Sequence, residues 1–246
     1  MRNLLFFLVL VTIALQSNSQ TSKPIRNFEK DTIVTLKDNI ILTFLGHASL
    51  MIEIGNDIIY VDPVSSEANY SLFPKGNLIL ITHEHDDHLD QKAIKQVTTE
   101  QTKILISKSC LGKLEKAVVL RNGQEQTIGD FGIQAVPAYN IQHLRNGIPF
   151  HSKGDGNGYV ISYSNRRIYI AGDTENIVEM SNLKDIDLAF LPMNLPFTMT
   201  PKMVADAALS FMPKILYPYH TGNTDLQLLK DHLKNSSIEL RLRKMR

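Results

Sequence analysis

Residues 81–90, ITHEHDDHLD, end the apolar run GNLILITH that begins at Gly76. Three histidines and three acids fill the six positions from His83 to His88. A core holds such groups only if each finds a partner, because a buried imidazole or carboxylate left alone is costly. A solvated loop has no need of so many imidazoles. The chain is therefore constrained to a fold that brings a strand end to a place where partners converge, and the partner that suits these donors is a metal ion. His83 and His85, two apart in an extended segment, point the same way. Asp87 and His88 follow where the chain turns toward a helix starting near Leu89, so they can serve a second position. Neutral imidazole and carboxylate suit Zn²⁺, with Mn²⁺ or Fe²⁺ as alternatives.

Short apolar stretches precede the cluster: TIVTLK (32–37), IILTFLG (40–46), SLMIEIG (49–55) and DIIYVDP (57–63). Their β-branched content and Asn/Gly/Asp punctuation predict strands in a meander. LDQKAIKQVT then reads as a helix, with strands near 103–107 and 116–120. The second half repeats the rhythm. FGIQAVPAY, GYVISYS, RRIYIAGDT, DIDLAFLPMN and KILYPYH read as strands, and IELRLR as a closing one. TPKMVADAALSFM reads as a helix with Thr200 as N-cap and Pro201 at its first position, and NTDLQLLKDHLKN as another. This pattern predicts an α/β fold with two packed sheets and helices outside. Polar strand ends recur at His83, Asp173, Asn194 and His220, where a rigid scaffold can position chemistry. The Gly-rich KGDGNG (153–158) matches neither a P-loop nor a dinucleotide fingerprint and reads as a flexible turn.

Residues 1–19 have the layout of a signal peptide: Arg2, an apolar core Leu4–Leu15, and Ser17-Asn18-Ser19 as a cleavage site. The expectation is an exported protein, periplasmic or secreted, with one domain over residues 20–246 and no stable membrane span after cleavage. The single cysteine, Cys110, excludes intramolecular disulfides and reads as a packed residue. Of 26 basic and 25 acidic residues, Arg2 leaves with the leader, so the mature chain is formally neutral. A neutral chain has no field to draw it onto nucleic acid. A small-molecule substrate is expected instead.

THEHDDH resembles the H-x-H-x-D-H motif of the metallo-β-lactamase superfamily, and later elements fall in the matching order. AGDT (171–174) resembles its strand-end aspartate, YPYHTG (217–222) its final histidine and VDP (61–63) its early aspartate. The resemblance implies a four-layer αβ/βα sandwich with two metals along one edge of the sheets. It makes Asp173 the carboxylate shared by both metals. His83, His85 and a third histidine then hold one metal, and Asp87, His88 and His220 the other. Asp62 becomes a residue that orients a ligand histidine. FLGHASLMIE (44–53) is similar to the branch of ascorbate-6-phosphate lactonase-like and N-acyl-phosphatidylethanolamine phospholipase D-like hydrolases, placing His47 beside the site as a candidate catalytic or ligand-orienting group. One departure stands out. The family's usual third histidine falls at VPAYN, where this chain has Asn140. His151 and His143 lie nearby, and His151 is favoured as the replacement.

Two ions about 3.5–4 Å apart can share a hydroxide at neutral pH and stabilise the developing oxyanion. The expected activity is hydrolysis of an ester, lactone or phosphodiester, with Asp87 and His47 at the reacting centre. Antibiotic-hydrolysing members typically carry a cysteine where this chain has Asp173, which disfavours a β-lactam. Two other classes stay open: an iron-dependent oxidoreductase of the same fold, and a non-catalytic protein stabilised by metal. Phe73, Tyr139, Phe150 and Phe197 are candidates for an apolar wall, and His232 for a surface residue.

Overall fold

A computed structural model describes residues 27–246, so the leader expected at 1–19 lies outside the described residues. The first half builds one sheet. Strands β1 (Glu29–Ile33), β2 (Ile40–Gly46), β3 (Ser49–Ile54) and β4 (Asp57–Val61) form the expected antiparallel meander. Strands β5 (Leu78–Ile81), β6 (Lys103–Ile106) and β7 (Val118–Val119) extend it in parallel, with helix α1 (Gln91–Val97) between β5 and β6.

The second half builds the other sheet. It runs from β8 (Glu125–Ile128) and β9 (Phe131–Ala138) through a separate hairpin of β10 (Leu144–Arg145) and β11 (Ile148–Pro149). It continues with β12 (Gly156–Tyr163), β13 (Arg166–Ile170), β14 (Leu188–Pro192), α2 (Pro201–Phe211), β15 (Ile215–Tyr219), α3 (Leu226–Leu233) and β16 (Glu239–Leu240). The spatial order is β16-β15-β14-β13-β12-β9-β8.

Why these runs become central strands follows from the two-residue period of the pleat. Leu78 and Leu80 of β5 face the second sheet, while Ile79 and Ile81 face α1. Leu188 and Phe190 of β14 point into the same seam, and Ala189 and Leu191 pack under α2 and α3. Strands covered on both faces must be apolar throughout, which explains LILI and LAFL. The result is the four-layer αβ/βα sandwich, with one core between the sheets and one beneath the helices on each side. Thr200 caps α2 by accepting from Met203 N, with Pro201 at the first turn as read from the sequence. Among the described residues no helix is long and apolar enough to cross a membrane.

Three local expectations shift. The first strand is Glu29–Ile33 rather than 32–37, because its register pairs Glu29 with Phe44 and Ile33 with Ile40. Gly156 to Gly158 of KGDGNG belong to β12, paired along β9, so only its first half is a turn. The closing strand expected over IELRLR ends at Leu240. Past Leu240 the chain straps the two sheets together: Arg241 and Arg243 both reach Asp31 of β1, and Met245 is fully buried.

A candidate dinuclear metal centre

The cluster is assembled where strands of both sheets end. Thr82 N donates to Asp62 Oδ1 at 2.8 Å, and Thr82 O accepts from Asn157 N at 2.9 Å, which fixes the end of β5 between β4 and β12. The chain then turns on itself. His88 N and Leu89 N both donate to His85 O, folding His88 back beneath His83. Asp90 ends the turn as the N-cap of α1, accepting from Lys92 N and Ala93 N.

From β13, Gly172 lets the chain pass close to β12. A Cβ there would lie 2.6 Å from Asn157 O, at a φ of +66°. Asp173 follows immediately and enters the cluster, 4% exposed. From β15, His220 turns back at a φ of 48° and its N–H donates to His47 O at 3.0 Å. His47 sits in the turn between β2 and β3 behind Gly46, whose φ of +129° favours glycine.

Three imidazole nitrogens form the first group. His83 Nε2 lies 3.1 Å from His85 Nδ1, which lies 3.3 Å from His151 Nε2. Nitrogens bound tetrahedrally to zinc at 2.0–2.1 Å are about 3.3–3.4 Å apart, so this spacing suits a shared ion. The second group gathers Asp87, His88 and His220, with His47 beside them. Asp173 stands between the groups. Its Oδ1 is 3.4 Å from His88 Nε2, and its Oδ2 is 3.4 Å from His220 Nε2 and 3.5 Å from His151 Nε2. Asp87 Oδ2 lies 3.5 Å from His220 Nε2 and 3.1 Å from His47 Nε2.

Surrounding groups select which ring nitrogens are bare. Asp62 is fully buried; its Oδ2 accepts from His88 Nδ1 at 2.8 Å and from Thr82 Oγ1 at 2.6 Å. Since that hydroxyl proton is spent on Asp62, Thr82 Oγ1 must accept from His83 Nδ1 at 3.0 Å. One carboxylate therefore places the protons of two histidines on their Nδ1 atoms and turns both Nε2 atoms toward the cluster. His151 is held likewise. Its Nδ1 donates to Asn140 Oδ1 at 2.6 Å, and Asn140 Nδ2 donates to Glu175 Oε1 and Phe197 O.

The electrostatics divide the cluster: burial turns protons away from two of its histidines, while carboxylates draw one to a third. Burial drives His83 well below the ordinary histidine value, helped by His88, His151 and His85. Burial also takes His151 down to about 4, against the pull of Asp173. His88 goes the other way: burial opposes its charge, but Asp173 and Asp62 outweigh it and push it up to about 9. Burial disfavours the Asp173 carboxylate, yet His220, His88 and His151 hold it below the usual range. Among the described residues, buried His88 Nε2, Asp173 Oδ1 and both ring nitrogens of His220 have no hydrogen-bond partner. Buried polar atoms without partners are rare, and here they converge from several elements. Two divalent ions would satisfy this donor set.

Every residue of the favoured set, His83, His85, Asp87, His88, His151, Asp173 and His220, comes to this place. Asp62 and Asn140 lie directly behind His88 and His151, and His47 lies beside Asp87. His143 does not join: its Nδ1 is 2.9 Å from Glu175, away from both groups. Of the four aromatics, Phe150 and Phe197 line the cleft over the cluster. Phe73 packs on Phe28 and Tyr70, and Tyr139 is buried with its hydroxyl on Glu179. His232 is exposed on α3. Two contributors escaped the sequence reading. Thr82 was signalled by its place just before the first histidine. Glu175 was signalled by its place two residues after Asp173, and it is buried, accepting from the backbone N–H groups of Ile141, Gln142 and His143.

Comparison with known proteins agrees with this architecture. The sequence profile of the beta-lactamase superfamily domain matches residues 41–220. A UPF0173 metal-dependent hydrolase of Thermococcus onnurineus is 33% identical over 193 residues, covering 72% of this chain and 82% of that protein. A candidate metal-dependent hydrolase from Parabacteroides distasonis has a crystal structure that superposes with a TM-score of 0.86 at 48% identity, covering 89% of this chain and 100% of that one. Igni18, a metallo hydrolase of Ignicoccus hospitalis, shares the fold at 22% identity and a TM-score of 0.68, covering 83% and 95%. The chain belongs to the metal-dependent hydrolases of the beta-lactamase superfamily and has the metallo-β-lactamase fold.

Proposed function

We propose that the chain binds two divalent ions, zinc foremost, and hydrolyses an ester, lactone or phosphodiester of a small molecule. The observation that carries this reading is the position of Asp173, one carboxylate within 3.5 Å of His88, His151 and His220. A carboxylate placed between two sets of imidazole nitrogens suits a pair of adjacent ions. When bound, such ions supply a hydroxide nucleophile at neutral pH and charge to stabilise an oxyanion.

The chain's own residues would do the rest. Asp62 and Thr82 keep His83 and His88 in the metal-binding tautomer, and Asn140 does so for His151. His47 Nε2, partly exposed in the cleft and 3.1 Å from Asp87 Oδ2, is placed to pass a proton to the leaving oxygen. Phe150 and Phe197, their ring centroids 5.1 Å apart, exclude water from one side of the cleft. The leader pattern at 1–19 supports export to the periplasm or beyond as part of the same proposal.

Elemental analysis tests it on protein purified without chelator, wild type beside His151→Ala and His143→Ala. About two zinc ions per chain, falling to one in His151→Ala and unchanged in His143→Ala, are expected, together with turnover of a chromogenic ester or phosphodiester. Fewer than two metals in the wild type, or two iron ions with no hydrolysis, would defeat the reading.

A further inference from the structure

The cleft above the metal cluster measures ≈ 450 Å³, and its outer wall is the β10–β11 hairpin with its flanks. Arg145 is the only lysine or arginine among the residues lining it. Its guanidinium lies over the Phe150 ring, 5.5 Å from the centroid. That stacking holds the planar group in place and leaves its N–H edge available. Arg145 pairs with no carboxylate among the described residues, unlike Arg166, Arg241 and Arg243 and like Arg121 and Arg167. The side-chain amides of Asn146 and Asn194, which also line the cleft, make no hydrogen bond within the described residues either.

The cleft's charge balance points the same way. Its only carboxylates are Asp87 and Asp173, both in the metal cluster. With two divalent ions bound, that floor is net positive, and Arg145 adds to the field from the wall. A concave site of one sign concentrates ligands of the other. Ile148, Pro149, Phe150 and Phe197 give the same cleft an apolar side.

We propose that Arg145 is a substrate anchor, and that the cleft takes a small molecule with an apolar body and an anionic oxyacid group, carboxylate or phosphate, apart from the bond that is cleaved. The location of that bond rests on the hydrolase reading; the anchor is a claim about binding. A guanidinium pairs with either oxyacid through two parallel N–H donors.

Calorimetry on metal-loaded protein, wild type and Arg145→Gln, tests the anchor with 3-phenylpropanoate, 2-phenylethyl phosphate and the neutral 3-phenylpropanamide. The wild type is expected to bind an anion at least about tenfold more tightly than the amide, the order of one charge-assisted pair. Arg145→Gln should erase most of that preference and leave amide affinity unchanged. Whichever anion loses more identifies the oxyacid. An equal anion preference in Arg145→Gln would assign it to the metals and overturn the proposal, as would a wild type that prefers neither anion or binds none of the three. Ester turnover is measured separately: its absence sinks the hydrolase reading without altering the binding result. Arg145 is exposed on its hairpin, so the substitution spares the core.

Discussion

Replacing Asp62 with asparagine changes one heavy atom and should disturb both of the proposed metal positions. Asp62 Oδ1 accepts from Thr82 N, a backbone donor that cannot reverse, so the new amide oxygen must stay there. The NH₂ group then faces His88 Nδ1 and Thr82 Oγ1, where Oδ2 had accepted two hydrogen bonds at 2.8 and 2.6 Å. His88 must now accept at Nδ1 and carry its proton on Nε2. The Thr82 hydroxyl, now accepting from the amide, turns its own proton toward His83 Nδ1 and drives the same exchange there. Both protons land on the nitrogens that face the cluster. Loss of one orienting partner typically costs 10–100-fold in metal affinity. With two ligands affected, about 100-fold is expected, or about 2.7 kcal/mol at 1.36 per decade. Chelator competition measures the affinity directly. At equal free metal well above both dissociation constants, the metal-induced stabilisation should fall by about the same 2.7 kcal/mol, since ligation enters as the logarithm of free metal over Kd. Wild-type affinity at both positions in Asp62→Asn would refute the tautomer argument.

Other consequences are open to simpler measurements. Glu175→Ala removes the acceptor for three consecutive backbone N–H groups and for Asn140. It should cost about 3 kcal/mol by chemical denaturation, and a change under 1 would contradict the role of this carboxylate. Burial opposes the charge on Glu175, but the N–H groups of His143 and Gln142 hold its pKa below the usual 4.5. Its contribution is therefore present above pH 4.5 and is lost as the pH falls toward the lower folded value, so wild type should lose more stability than Glu175→Ala over that interval. Asp31→Ala leaves Arg241 and Arg243 without their shared partner; since both are partly exposed, a loss of about 2 kcal/mol is expected, with earlier proteolysis of the C-terminal strap. Cys110 is fully buried, and burial pushes its thiol up to about 11. Native protein should resist iodoacetamide at pH 8 and react only when unfolded; alkylation at the rate of a free thiol would contradict this.

Local patterning made the strands and α2 legible. A run such as LILI must be covered on both faces, and Thr200 followed by Pro201 is a favoured helix start. The histidine cluster was legible for the same reason, because His83, His85, Asp87 and His88 lie within one strand end and one turn whose geometry is local. Ends were less legible. The first strand moved by three residues, since an edge strand's register depends on its partner β2 rather than on its own pattern.

The sequence by itself determined which donors exist and that four of them share one turn: side-chain chemistry and short-range backbone geometry need no distant partner. Only the tertiary structure decided the remainder of the centre. His151 rather than His143 completes the first group because the β10–β11 hairpin returns the chain to Asn140, whose carbonyl fixes the His151 ring, while Glu175 draws His143 away. Asp62, Asp173 and His220 arrive from three other strand ends. Their convergence depends on how two sheets pack and close, a long-range balance of burial and hydrogen bonding that no short window of residues contains.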